Sequence, residues 1–458
     1  MHRGIAVLLV LMLAVMPVLA APPLSGLGDS LLPYAGNGGY DVQHYTLDIE
    51  VLSIEEGDLQ ATTTVELVAT ADLATFHLDF TRLDISSIEV NGDEAAFEYD
   101  DGELMITPDE PLAAGEAYSV AVAYEGNPER APNPAIGFGG WTTYREGIYV
   151  AGQPFSATTF IPVNDHPRDK ATYTIGITVA EPYLAISNGL LLDEIDNGDT
   201  RTFVWEMNDP MASYLITIAI GEFEVQKQVG PNALPITNYF PLNAPDSHYE
   251  AFARQPQIIE YLSELFGPYP FDSAGGIVID NPRMGFALET QSIPIYGSIM
   301  MEFGGEQVVV HELAHQWFGD SLSLYQWRDI WLNEGFASYA EALWVEHVAS
   351  ERQFRRYLRA FYDTARRSQV LPGNPMLNQI FDGAIYHRGA LTLHAVRVEV
   401  GDEVFFEILR TYTERFRYGN VTTQDFIAVC EEVSGQELSA LFETWLFGEL
   451  PPFSSLGV

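Results

Sequence analysis

The chain of 458 residues holds a single cysteine and only two lysines, and it contains no internal repeat or low-complexity tract. With no second thiol, Cys430 can form no disulfide within the chain, so the fold must stand on its core alone. Cys430 lies in Phe426-Ile-Ala-Val-Cys430, an apolar helical face, and reads as core filler rather than a nucleophile. Lys170 and Lys227 are the only lysines among 22 basic residues, which face 64 Asp and Glu for a net charge of -42. Such acidity argues against nucleic acid as a partner, because phosphate would be repelled. It leaves two origins open: solubility, including in a salty medium, or an acidic funnel for cationic substrates. The absence of repeats at this length implies two or three ordinary domains rather than one core or an array.

Long apolar runs are also missing, with one exception at the amino terminus. His2 and Arg3 are followed by the apolar run Ile5 to Met16 and by Val18-Leu19-Ala20, small residues at the spacing of a signal-peptidase site. Residues 1–20 therefore read as a signal peptide for export, periplasmic or extracellular. An uncleaved anchor is the alternative, but twelve apolar residues are short of the roughly 20 that a membrane helix needs. No cysteine follows the run to carry a lipid, so no stable membrane anchor is expected after cleavage.

Periodicity then divides the chain near residue 222. From Asp41 to Gly221 apolar and polar residues alternate, as in Tyr45-Thr-Leu-Asp-Ile-Glu-Val51 and Gln60 to Val68, and Asn91-Gly92 and Asp101-Gly102 supply tight hairpin turns. This predicts an antiparallel β sheet or sandwich over residues 21–222. Beyond Phe223 the period becomes helical, with one helix expected over Tyr249 to Phe266, stopped by Gly267-Pro268. Helices are also expected over Glu306 to Phe318, Trp331 to Ala349, Glu351 to Arg367, Ile385 to Val400, Glu403 to Phe416, Thr423 to Val433 and Glu437 to Phe447. The fold class is α+β and multidomain, with residues 223–458 forming the mainly helical part.

The chemistry concentrates in that second part. His311-Glu312-Leu-Ala-His315 places two imidazoles four residues apart, hence on one face of a helix and one turn from each other. Both can reach one ion, while Glu312, one step round, can reach a water on its open side. A third ligand must come from elsewhere, and Glu334 lies after an interval of eighteen residues, enough for a loop and an antiparallel return helix. Two His and one carboxylate suit zinc and leave its fourth position open, the pattern of a catalytic rather than a structural site. Asp329, Glu341 and Glu346 belong either to a solvated face or to groups supporting the ligands, and His347 and His394 read as ordinary surface or core residues.

The block His311-Glu-Leu-Ala-His-Gln-Trp-Phe-Gly-Asp320 with Trp327-Arg-Asp-Ile-Trp-Leu-Asn-Glu-Gly-Phe-Ala337 resembles the aminopeptidase N family of zinc exopeptidases. The resemblance implies a β-saddle domain followed by a thermolysin-like catalytic domain, and one zinc per chain. Tyr386 in Ile385-Tyr-His-Arg-Gly-Ala390 is similar to the family tyrosine whose hydroxyl stabilises the oxyanion. By composition alone it is an ordinary helix-start aromatic. Gly285-Phe-Ala-Leu-Glu-Thr290 occupies the place of the family's Gly-x-Met-Glu-Asn segment. Its Gly, Met and Asn become Phe286, Leu288 and Thr290, while Glu289 is kept. The resemblance implies that Glu289 pairs with the substrate α-ammonium, and that Gln153, otherwise a loop amide, assists it. It further implies a chain without the helical carboxy-terminal domain of larger relatives, and so a more open cleft. The expected function is zinc-dependent release of amino-terminal residues from peptides with a free N-terminus. The rivals are an endopeptidase on the same site and a non-catalytic peptide-binding relative. Nothing in the residues fixes the oligomeric state.

Overall fold

The computed structural model describes residues 26–457, apart from 82, 101, 129–130, 134–136 and 303. The proposed signal segment lies outside the described residues. The alternating stretches form an eight-stranded sheet in the order 190–196, 200–211, 171–180, 40–51, 59–69, 117–126, 84–90 and 93–94. Its pairings are antiparallel except that 40–51 runs parallel to 171–180, with Leu47 opposite Ile175. Along Tyr40–Val51 the inward set includes Tyr45, Leu47 and Ile49, so the period of two becomes one apolar face. Asn91 and Gly92 take positive φ values of 54° and 87°, the turn geometry that Asn-Gly selects. A five-stranded sheet (184–187, 218–221, 147–151, 137–144 and 131–133) packs against the large one. Trp205 crosses between them, its indole donating to the Ala185 carbonyl at 3.0 Å.

The strand Ile218–Gly221 belongs to that second sheet, whereas Phe223–Val229 opens a third one with 235–241, 274–279, 295–297 and 287–288. Helices follow: α1 (Asp246–Phe252), α2 (Gln255–Phe266), α3 (Ser298–Glu302), α4 (Gly305–His315), α5 (Trp331–Val348), α6 (Glu351–Ala365), α7 (Gly383–Val400), α8 (Asp402–Arg415), α9 (Thr423–Ser434) and α10 (Ser439–Phe442). The single helix expected over Tyr249 to Phe266 is two helices. Pro256 sits in the first turn of α2, where its missing N–H costs nothing, and the chain breaks at Arg254 just before it. The last expected helix is likewise only the short α10, followed by a π-helical turn over Glu443–Phe447. Among the described residues no helix is long and apolar enough to cross a membrane.

The seam between the β-rich and helical parts is polar and closely fitted. Lys170 donates from Nζ to the carbonyls of Asp320 and Ser321 at 2.7 and 3.0 Å. The Arg168 guanidinium donates to the carbonyls of Tyr325 and Leu27 and lies 4.0 Å from the Tyr325 ring centroid. Asp29, near the start of the described chain, accepts from the Trp327 backbone N–H at 2.8 Å and lies 3.3 Å from His166 Nε2. Segments hundreds of residues apart in sequence thus meet beneath the loop that follows α4.

Candidate active site

The metal-site residues are set by two helices and one close approach. In α4, His311 and His315 stand one turn apart with ring centroids 4.8 Å from each other. Glu334, in the first turn of α5, brings Oε2 to 3.2 Å from His311 Nε2 and 3.4 Å from His315 Nε2. A tetrahedral zinc with arms of about 2.0–2.1 Å has ligand-to-ligand edges of roughly 3.3 Å, so this donor set fits the ion without rearrangement. The tautomers fit as well. His311 Nδ1 lies 2.7 Å from Glu341 Oε1, and His315 Nδ1 lies 3.0 Å from the Phe318 carbonyl. Each ring therefore gives its Nδ1–H to an outer acceptor and presents Nε2 to the site. Tyr357 in turn donates to the second Glu341 oxygen at 2.6 Å. Of the two readings open for Glu341, the structure selects support of a ligand.

Electrostatics point the same way. Burial opposes a charged His311, yet Glu334 and Glu341 raise it well above its usual value. Burial alone would raise Glu334, but His315 and His311 hold it at about 2. The pocket between these groups thus draws positive charge, as a cation site must. Glu312 faces the same cavity, and burial pushes its carboxyl up to about 8 against the pull of His311 and His315.

Tyr386 enters from α7. Its ring stacks on His311 at 5.9 Å between centroids, and burial with Glu334, Glu289 and Glu312 holds its hydroxyl protonated. Its position depends on two glycines. A Cβ on Gly335 of α5 would lie 2.9 Å from the Gly389 backbone, and one on Gly389 would lie 2.9 Å from Gly335 Cα. Helices α5 and α7 therefore cross in backbone contact, which brings Glu334 and Tyr386 into one cleft.

Glu289 is 2 % exposed, and its Oε1 accepts from Gln153 Nε2 at 2.7 Å across 136 residues of sequence. A carboxylate oxygen of Glu289 lies within 4.8 Å of ligand atoms on Glu312 and His315. Gln316, one residue after His315, fixes this loop to the metal helix. It donates to the Glu289 carbonyl at 3.2 Å and accepts from Ser292 N–H at 2.7 Å. All seven residues singled out in the sequence thus line one cavity of about 360 Å³. Sequence reasoning missed Gln316, Tyr357 and Lys170. Only Gln316, inside the His311 to Asp320 block, carried a visible signal.

Two family models cover most of the chain: the peptidase M1 N-terminal domain matches residues 41–215 and the peptidase family M1 domain matches residues 250–445. A crystal structure of an M1 zinc metallopeptidase from Deinococcus radiodurans superposes with a TM-score of 0.87 at 30 % identity, covering 93 % of this chain and 98 % of that one. The chain belongs to the M1 peptidase family. Among curated proteins, this M1 peptidase is 27 % identical to human glutamyl aminopeptidase over 447 residues, 88 % of this chain and 46 % of that protein. It is 27 % identical to aminopeptidase M1 of Arabidopsis thaliana over 320 residues, 64 % of this chain and 36 % of the relative. The M1 peptidase chain spans about half the length of the curated relatives it matches, or less. A variant of the Deinococcus protein has been solved with a Tyr-Ser-Ala substrate.

Proposed function

We propose that the chain is a zinc-dependent aminopeptidase that removes residues from the free amino terminus of peptides. The observation that carries this reading is the buried Glu289 carboxylate, held by Gln153 and set beside the His311, His315 and Glu334 constellation. A buried carboxylate lining a cleft recognises an ammonium group through a charge-assisted hydrogen bond, and in a peptide backbone only the chain end carries one. Zinc, when bound by His311, His315 and Glu334, supplies Lewis acidity toward a water and a carbonyl oxygen. Glu312 accepts the proton of the attacking water and passes it to the leaving amine. Tyr386 donates its hydroxyl hydrogen bond to the oxygen on which negative charge develops. Glu289, with Gln153, orients the substrate so that the first peptide bond meets these groups.

The test compares an amino-acyl p-nitroanilide with its N-acetylated form, before and after chelation and zinc return. Hydrolysis of the free-amine form alone, lost on chelation and restored by zinc, is expected. Equal cleavage of the acetylated form would make the protein an endopeptidase, and indifference to chelation would remove zinc from the reading. Export completes the proposal, supported by the Ile5 to Met16 run and the Val18-Leu19-Ala20 ending. Amino-terminal sequencing of the mature protein should begin near residue 21, and recovery of an intact Met1 would refute cleavage.

A further inference from the structure

Cations are scarce in this chain, yet one helix gathers them. Over residues 351–367, α6 and the turn after it, Arg352, Arg355, Arg356, Arg359, Arg366 and Arg367 are all exposed, and Glu351 and Asp363 are the only acids among them. Phe354, Leu358, Phe361 and Ala365 bury the opposite face, so Arg352, Arg355, Arg356 and Arg359 follow one another along an outer ridge at helical spacing. Asp363 pairs with Arg359 and Arg366. Arg352, Arg355 and Arg356 meet no acid among the described residues, in a chain with 64 Asp and Glu for 22 Lys and Arg. Local stability does not explain the ridge. Arg352 sits in the first turn, where the helix dipole disfavours a cation, and Arg355 and Arg356 repel it from one turn away.

The complementary surface lies in the β-rich half. No Arg or Lys occurs between Leu83 and Glu129. Within this stretch the strand Ala96–Asp100 is the edge of a three-stranded sheet with 103–107 and 76–79, and all of it is exposed. Glu94, Glu98 and Asp100 pair with no cation among the described residues, and Phe97 beside them is 39 % exposed. Carboxylates next to an aromatic ring suit a guanidinium, which bonds the first through paired N–H groups and stacks on the second. The lengths match too: five extended residues span roughly 17 Å, and Arg352 to Arg366 span roughly 21 Å of helix axis. We propose that the α6 ridge of one copy docks on the acidic edge around Ala96–Asp100 of a second copy, head to tail. A flat polyanion such as an anionic membrane would attract the ridge but would also face the surrounding acids. The contact is independent of the peptidase reading.

Salt should act on this contact in two directions. At ~10 mM salt the Debye length is about 30 Å, and the net charge of -42 on each copy keeps the copies apart. At ~150 mM it is about 8 Å, so the facing patches dominate, and at ~1 M they too are screened. Sedimentation velocity of the zinc-loaded protein should show association that peaks at the middle salt concentration. The triple variant Arg352→Glu, Arg355→Glu, Arg356→Glu should weaken it at least ~tenfold, as should the double variant Glu94→Arg, Glu98→Arg. Each variant keeps the surface that the other has lost. Their mixture should form dimers and nothing larger, because the one productive contact leaves only altered surfaces outside it. Circular dichroism of each variant checks the fold. A wild type that is monomeric at every salt concentration, a ridge variant that associates as the wild type does, or folded variants that form no dimer on mixing overturns the proposal. Adsorption of monomers to phosphatidylserine–phosphatidylcholine vesicles through the same arginines, without self-association, overturns it in favour of a membrane.

Discussion

Carboxylates are buried in both halves of this molecule, and Glu334 in the helical half is shifted opposite to Asp165 and Asp169 in the β-rich half. In the helical half Glu334, Glu341 and Glu289 are grouped around imidazoles and a cation position. There the paired His residues keep Glu334 ionised. In the β-rich half Asp165 and Asp169 are also nearly inaccessible, but the groups that face them are uncharged donors or further acids. Ser213 Oγ donates to Asp165, while Val42 N–H and the Asn164 amide donate to Asp169. Asp41 lies near Asp169, and Asp79 accepts from the Asp165 N–H. Burial pushes Asp165 up to about 6 and Asp169 up to about 7 against these hydrogen bonds. Equal burial thus leaves Glu334 ionised where two imidazoles face it closely, and raises Asp165 and Asp169, as it raises Glu312, where that pull is weaker or absent.

Three substitutions probe that contrast, taken from the largest effect down. Glu312→Gln removes one ionisable group from the cleft and keeps its shape. Turnover should fall about 10³-fold, the scale of a lost general base, while zinc content by metal analysis stays at one per chain. A variant that keeps wild-type turnover would show that the cleft's carboxylates are structural, like those of the β-rich half. Glu289→Gln keeps the hydrogen bond to Gln153 but not the charge. It should lower kcat/KM on free-amine substrates about 30- to 100-fold, seen mainly in KM, because an ammonium loses its ionic partner. An unchanged KM would place the amine elsewhere.

The third and smallest effect lies in the β-rich half. Because the folded-state values of Asp165 and Asp169 are above the ordinary carboxylate value, the native state binds extra protons between about pH 4 and 7. Stability is then fully present below that window and declines as pH rises through it. Asp169→Asn should flatten the decline, raising the melting temperature at pH 8 by roughly 2–4 °C relative to wild type after matching at pH 5. Repulsion among the surplus surface carboxylates is common to both proteins, so the difference between them isolates Asp169. Parallel melting curves would mean that Asp169 is ionised like Glu334 in the cleft.

The legible parts of the molecule follow from local geometry. Two His four apart need only a helix to meet, and Glu334 needs only a return helix after eighteen residues. The alternation that fills one face of Tyr40–Val51 is equally local. What stayed hidden depends on distant surfaces meeting. The parallel pairing of 40–51 with 171–180 leaves no mark in either strand's own pattern. Gln153 reaches Glu289 across the seam, and the residue types alone cannot separate that contact from an ordinary loop amide. Gly335 and Gly389 each sit inside a recognised motif, but their part in letting α5 touch α7 shows only when the two helices are packed. Arg254 was the readable miss, since Pro256 marks a helix start two residues later.

The scarcity of lysine gives the seam a chemical signature. Lys227 is exposed on the strand Phe223–Val229, whereas the amine of Lys170 is held by the Asp320 and Ser321 carbonyls. Apart from the chain's own amino terminus, an acylating reagent therefore meets one ready target and one whose amine is engaged across the seam and yields more readily when the two halves part. The ratio of label at these two positions, read from a single digest, is a built-in gauge of how often the halves separate.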